Sequence, residues 1–477
     1  MKEVRTRFAP SPTGFMHVGN LRTGLYSFLY ARKMGGTFIL RIEDTDQGRF
    51  VEGATEAIFR TLRTAGIDYD EGPGKEKEGM IYVQSQRKQL YQEYAEELVR
   101  RGAAYYCFCG KRNVTDGGVG KYDKHCAHLS PEEIRARLDA GVPHVIRMRV
   151  PETDGVSEYD DMVYGHIAVA YKDMDDMILL KSDGMPTYNF ANVVDDHSMG
   201  VTHILRGNEY LSSTPQYNLL YDAFGWERPQ YVHLAPIMRD HEHKLSKRNG
   251  DANFEDFVAK GYLPRAIVNY IALLGWSPKG NQEKLSMAEL IEQFDVDGLS
   301  QSPSIFDGAK MRWLNAEYIR ELTPAQFAEV ATPYLAQSKV YGKYDTDTLL
   351  SLLQPRVEVL GEIPSIVDFL EEYDDFDLTL FEHQKNKTDA VVARTILRAA
   401  VPALSQCEWT NDGIFAALCD VTTALGVKKA ATMWCVRIAA TARAVTPGGA
   451  SEMAVLLGRD ETMRRLTRTL ARLEELA

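Results

Sequence analysis

Val4, Thr6 and Phe8 alternate with Arg5 and Arg7 near the start of the chain. This period-two pattern predicts a short strand, halted where Pro10 and Pro12 forbid further pairing. Beyond a loop, Leu21, Leu25, Phe28 and Leu29 recur at helical spacing on one face, and Gly35 with Gly36 closes that helix. Thr37 to Asp44 reads as a second strand. Strand, helix and strand within about 40 residues make a βαβ unit, hence a parallel sheet with a right-handed crossover. Helices are predicted over about 52–65, with Ile58 and Leu62 and a stop at Gly66, and over about 86–101, with Leu90, Tyr94 and Leu98 and a stop at Gly102.

From Tyr105 the pattern changes to turns and short strands, Val145–Val150 and His166–Ala170, ending near Leu180; this reads as an insertion in the α/β fold. The sheet is expected to resume with Asn189–Val194 and Val201–Arg206 and to run on to a lysine-bearing loop. From about 254 the chain turns helical (Ile267, Tyr270, Ile271, Leu274), and roughly the last 150 residues read as mostly helical. There Met463, Leu466, Leu470 and Leu473 form an apolar seam, with Arg464, Arg465, Arg468 and Arg472 expected as solvated side chains of a bundle helix.

A chain of 477 residues exceeds one ordinary core, so about two to four domains are expected. Hydrophobic content of 44% and charged content of 26% fit a soluble globular protein. The start lacks an apolar signal core and no apolar run reaches membrane-spanning length, so a cytoplasmic location is expected. A net charge of −12 counts mildly against nucleic acid, although local basic surface is what decides. The six cysteines fall in two groups of three, which argues against a disulfide framework; Cys407, Cys419 and Cys435 sit at helical apolar positions and read as core.

His17 and Gly19 lie between the C-terminal end of a predicted strand and the N-terminus of a predicted helix, where free N–H groups and the helix dipole suit a phosphate. No Gly-Lys-Ser/Thr follows, so this is not the Walker loop. A second polar stretch, His243 to Gly250, carries Lys244 and Lys247, flexible point charges suited to clamping a polyphosphate. Glu43 ends the second strand, where open α/β sheets bind ligands. Cys107, Cys109, Cys126 and His128, with Tyr122 between, supply soft donors of the number and type a structural Zn²⁺ takes; reduced cysteines in an apolar turn are the alternative.

Together these segments resemble the class I aminoacyl-tRNA synthetases, specifically the bacterial glutamyl-tRNA synthetases. His17-Val18-Gly19-Asn20 looks like their "HIGH" signature, and Lys244-Leu245-Ser246-Lys247-Arg248 looks like their "KMSKS" loop. The stretches from Arg7 to Gly14, Arg41 to Asp46 and Asp183 to Asn192 are similar to that family's substrate-site segments, and the likeness runs nearly end to end. Asn20 departs from the signature's second histidine and Arg248 from the loop's final serine; neither removes a charge the chemistry needs.

The resemblance implies an α/β fold: a Rossmann-type parallel-sheet catalytic domain (1–104 and 182–253) with an inserted acceptor-end-binding α/β domain (105–181). A stem-contact connecting domain (254–320) and a mainly α-helical anticodon-binding region (321–477) would follow. It implies ATP-dependent ligation of L-glutamate to tRNA-Glu through a glutamyl-adenylate, with Mg²⁺ accompanying ATP, in a cytoplasmic monomer. The substrate carboxylate is already ionised, so catalysis reduces to positioning and stabilisation of phosphate charge. His17, Gly19, Lys244 and Lys247 carry over as catalytic, and Pro10, Asn20, Glu209 and Ser246 join them around ATP. Arg7, Ala9, Ser11, Glu43, Tyr188, Asn192 and Arg206 map onto the glutamate site, where arginine forks suit carboxylates and Glu43 suits the ammonium. Some members carry the zinc arrangement and others lack it. The alternatives are an enzyme that also charges tRNA-Gln, a glutaminyl enzyme, the truncated relative that glutamylates a tRNA base, and a non-catalytic RNA-binding paralogue. A helical tail favours the glutamyl type over the glutaminyl relatives, which carry β-barrels there.

Overall fold

The alternation at the head of the chain is realised as β1 (Arg5–Phe8), and α1 (Val18–Lys33) returns the chain to β2 (Thr37–Leu40). The two strands pair in parallel, Arg7 opposite Ile39 and Phe8 opposite Leu40. Leu21, Leu25, Phe28 and Leu29 are all buried. Gly24 lets α1 approach β1 closely, because a Cβ there would stand 3.0 Å from the ring of Phe8. The computed structural model describes residues 3–46, 48, 51–109, 122–245, 253–373 and 375–476. They form two compact units, Met1–Phe257 with Pro264–Asp307, and Val258–Leu263 with Gly308–Ala477.

In the first unit α2 (Ala54–Thr64) and α3 (Lys88–Arg100) lie where the periodicity places them. The following region contains β3 (Ala104–Cys107), α4 (Pro131–Asp139), β4 (Val145–Met148), β5 (Val156–Asp161), β6 (Gly165–Ala170) and β7 (Ile178–Leu180). Next come α5 (Tyr188–Ser198), β8 (His203–Gly207), α6 (Thr214–Phe224) and β9 (Gln230–Leu234). Strands β3, β4 and β7 form an antiparallel sheet. The β5–β6 hairpin leaves it and joins the parallel pair β8–β9 through Asp161 opposite Tyr231. Strand β5 is not announced by its apolar residues, because its inward face is Ser157, Tyr159 and Asp161 while Val156 is exposed.

Residues 189–194, expected as a strand, are helical and belong to α5. Phe190, Val193 and Val194 repeat at i, i+3 and i+4 and are buried against α3 and α6 side chains such as Tyr91 and Tyr217. Tertiary packing overrides the strand preference of the adjacent valines. Short strands β10 (Ile237–Met238) and β11 (Ser304–Ile305) pair in parallel, and α7 (Phe254–Ala259), α8 (Pro264–Ala272) and α9 (Met287–Gln293) lie between them in sequence.

The second unit is helical, without a strand among its described residues: α10 (Gly308–Arg320), α11 (Pro324–Leu335), α12 (Thr346–Leu353), α13 (Ile363–Val367) and α14 (Ala390–Gln406), then α15 (Asn411–Leu425), α16 (Lys429–Thr441), α17 (Ala450–Leu457) and α18 (Arg459–Glu475). On α18, Leu466 and Leu473 are buried and Met463 and Leu470 half-buried. Arg465 is not solvated. It is 2% exposed and donates to the carbonyls of Phe369, Leu370 and Ala440 at 2.7, 2.9 and 3.1 Å, with Glu461 2.6 Å from its Nε. A guanidinium has enough donors to satisfy several carbonyls left over at element ends, which is why it replaces solvent there. Of the three C-terminal cysteines only Cys435 is core; Cys407 and Cys419 are half-buried, Cys407 lying just past the end of α14. No helix among the described residues is long and apolar enough to cross a membrane.

Candidate active site

The C-terminal ends of β1, β2, β8 and β9 open on a cleft of about 520 Å³. Its wall brings together Arg7, Ala9, Ser11, Glu43, Tyr188 and Arg206 from the residues mapped to glutamate, and Pro10, Gly19, Asn20 and Glu209 from those mapped to ATP. At one side is the start of α1. His17 caps it, its Nδ1 accepting from the Gly19 N–H at 3.0 Å, so the proton of a neutral ring sits on Nε2. No acidic side chain occupies the first turn of α1, leaving the positive end of the dipole available to an anion.

Asn192 does not line the cleft. It is 1% exposed, one turn behind Tyr188, and its Nδ2 donates to the carbonyls of Tyr188 and Asn189 at 2.8 and 3.1 Å. Lys244 is exposed at the end of a turn in which Asp240 accepts the N–H groups of Glu242 and His243 at 2.9 and 2.8 Å. Ser246 and Lys247, with Arg248, lie outside the described residues.

Beneath the cleft is a net of buried charge that the sequence reading missed. Arg41 is fully buried, with Nη1 2.7 Å from Asp196 and Nη2 2.9 Å from Glu43. Arg7 places Nε 3.1 Å from Asp196 and donates Nη1 to the Leu205 carbonyl at 3.1 Å. Asp195 takes Arg87 at 2.8 Å, the Tyr91 hydroxyl at 2.9 Å and the Gln84 amide at 2.8 Å. Burial pushes the Glu43 carboxyl up from its ordinary value, and Arg41 and Arg7 oppose this without reversing it. A ligand ammonium beside Glu43 would favour the ionised form. Once Tyr188–Ser198 is read as a helix, Asp195 and Asp196 fall on the face of Asn192 at i+3 and i+4, which is the signal that could have found them.

The second cluster is brought together in part. Cys107, Cys109 and Cys126 place their sulfur atoms within 4.8 Å of one another. His128 does not join them: its side chain is 66% exposed, with Nε2 3.6 Å from Glu152. The Tyr122 hydroxyl lies there instead, 3.2 Å from the Cys107 sulfur and 3.3 Å from that of Cys109. Three thiols and a phenol converging on one point fit a tetrahedral Zn²⁺, which takes sulfur at about 2.3 Å.

The family described as tRNA synthetases class I (E and Q), catalytic domain, matches residues 3–313, and the anticodon binding domain matches residues 326–470. A glutamate–tRNA ligase of Clostridium novyi is 50% identical, covering 99% of each chain, and one of Clostridium acetobutylicum is 48% identical with the same coverage. Among solved structures, a glutamate tRNA ligase from Elizabethkingia meningosepticum in complex with its amino acid is similar at a TM-score of 0.85, with 30% identity over 99% of this chain and 100% of that one. A β1–α1–β2 unit with a capped helix, a cleft lined by Arg7, Arg206 and Glu43 among others, and full-length identity near one half lead to one conclusion: the chain belongs to the glutamate–tRNA ligase family of class I tRNA synthetases.

Proposed function

We propose that this protein ligates L-glutamate to tRNA-Glu at the cost of ATP, through a glutamyl-adenylate. The observation that carries the reading is the cleft wall, where Arg7, Arg206 and Glu43 stand together, a set of charges suited to a ligand bearing two carboxylates and one ammonium. The α-carboxylate attacks the ATP α-phosphorus, diphosphate leaves, and the terminal ribose of tRNA then takes the acyl group with release of AMP. His17 Nε2–H and the backbone around Gly19 face the phosphates, and Lys244 with Lys247 follows the departing diphosphate. Pro10, Asn20, Glu209 and Ser246 complete the nucleotide's surroundings. Asn192 acts behind Tyr188, holding its backbone, while Ala9 and Ser11 shape the rim. Mg²⁺ accompanies ATP and neutralises phosphate charge. Residues 105–181 grip the acceptor end, 254–320 meet the stem and 321–477 read the anticodon, in a cytoplasmic monomer.

The test is charging of purified tRNA-Glu and tRNA-Gln, separately, with labelled glutamate, ATP and Mg²⁺. Labelling of tRNA-Glu is expected; labelling of both extends the substrate to tRNA-Gln, and labelling of neither sinks the proposal.

A structural Zn²⁺ held by Cys107, Cys109, Cys126 and Tyr122 would cross-link the end of β3 to residues 122–126, with no part in the reaction. About one zinc per chain is then expected by elemental analysis. Cys126→Ser should lose it and His128→Ala should keep it. Retention in Tyr122→Phe with loss in His128→Ala would restore the set with His128.

A further inference from the structure

Arg206 differs from Arg7 in what holds it. Arg7 leans on the Asp196 carboxylate, whereas among the described residues no carboxylate lies within ion-pair distance of Arg206. Its Nη2 donates to the Thr214 hydroxyl at 2.5 Å and its Nε to His233 Nε2 at 3.2 Å. Thr214 gives its own proton to the Tyr210 carbonyl at 2.7 Å, so its oxygen is free to accept.

His233 is fully buried on β9, in register with Arg206 on β8. Its Nδ1 lies 2.6 Å from Asp161 Oδ2, which places the proton on Nδ1 and leaves the Nε2 lone pair facing the guanidinium. The other tautomer, or the imidazolium, would set N–H against N–H. Asp161 is itself fixed: Oδ2 also accepts the His233 N–H at 3.1 Å, and Oδ1 accepts those of Val163 and Tyr164 at 2.9 and 2.8 Å. Burial lowers the His233 pKa from its ordinary value and Arg206 adds to this, outweighing the pull of Asp161. The rings of Tyr210, Tyr217 and Tyr231 surround the guanidinium at 5.1, 4.9 and 5.5 Å. What remains is Nη1, buried and without a hydrogen-bond partner, on a residue that lines the cleft.

We propose that Asp161 and His233 are positioning residues for amino-acid selection: they hold Arg206 through an uncharged acceptor, so that its full charge and its Nη1 edge are kept for a substrate carboxylate. The inference rests on the glutamate reading above. Pairing through a carboxylate, as at Arg7, would cancel part of the charge that separates glutamate from uncharged analogues such as glutamine.

The experiment is tRNA-dependent ATP–diphosphate exchange, with KM measured for glutamate and for ATP, on wild type, His233→Phe and His233→Gln. Phenylalanine fills the space and removes the acceptor; glutamine can still accept from Arg206 and donate to Asp161. His233→Phe is expected to raise KM for glutamate about 10- to 100-fold, with kcat and KM for ATP within about threefold of wild type. His233→Gln is expected to restore KM for glutamate to within about threefold of wild type. An unchanged KM in folded His233→Phe overturns the inference. Nitrogen-15 NMR of histidine-labelled wild type, with the His233 signal identified by its loss in His233→Gln, is expected to show the neutral Nδ1–H tautomer. An Nε2–H or doubly protonated ring overturns the inference even where the phenylalanine variant does not fold. Wild type without glutamate-dependent exchange overturns the glutamate reading itself, an outcome distinct from both.

Discussion

Arg206→Ala is expected to lower kcat/KM for glutamate about 10³-fold while leaving KM for ATP within about threefold of wild type. The side chain is 4% exposed, and its Nη1 has no protein partner, so a ligand carboxylate meets a desolvated charge rather than a hydrated one. Truncating one partner of such a pair costs several kcal/mol, because the other charge stays buried and unpaired. Exchange kinetics in the presence of tRNA measure it. A change of less than about threefold in kcat/KM would mean that Arg7 carries the carboxylates alone. Arg206→Lys should recover little, since a point charge cannot keep the contacts to His233 and Thr214 while facing the ligand.

Asp196→Ala is the second large effect, and it falls on stability as well as binding. Asp196 lies between Arg7 and Arg41, and its removal leaves two buried guanidinium groups short of their shared anion. Breaking a buried pair in this way costs about 3–5 kcal/mol. The urea transition that glutamate shifts, which reports the first unit, should move to markedly lower concentration; an unmoved midpoint would refute the pairing. The sign of the pH dependence follows from the group itself. Burial raises the Asp196 carboxyl, but Arg7 and Arg41 outweigh it and hold it below its ordinary value of 3.8. The stability it contributes is therefore complete above that ordinary value and is lost as pH falls through the lowered folded one. The gap between wild type and Asp196→Ala should be constant from about pH 7 to 5 and narrow below about 4.

The elements that could be read from the sequence are those whose buried face is mainly apolar and whose ends carry glycine or proline. The unit β1–α1–β2 is of this kind, with Leu21, Leu25, Phe28 and Leu29 on one side and stops at Pro10 and Gly35. Helix α5 and strand β5 are not, because Asn192, Asp195 and Asp196 in one and Ser157 and Asp161 in the other are buried polar side chains. Read locally, such residues belong on a surface. They become tolerable inside only through partners far along the chain, such as Arg7 with Asp196, 189 residues apart. The same reasoning divides the site. Residues of short motifs, from His17 and Gly19 to Glu43 and Arg206, could be named in advance. Asp161 and His233 could not, because they partner each other across 72 residues and nothing near either tells of the other. The exposed position of His128 was equally out of reach, since spacing alone does not say which way a turn carries its last side chain.

The closed net under the cleft also bears on how such a pocket could change over generations. Arg7, Arg41, Glu43 and Asp196 each satisfy a neighbour, so any single replacement among them strands a charge before it can offer a new preference. Routes to a different amino acid that pass through this floor require paired changes. Single-step routes are confined to positions that border the cleft without belonging to the net, such as Ala9, Ser11 and Tyr188. Drift in this lineage should therefore collect at the rim, while the floor descends as one inherited block.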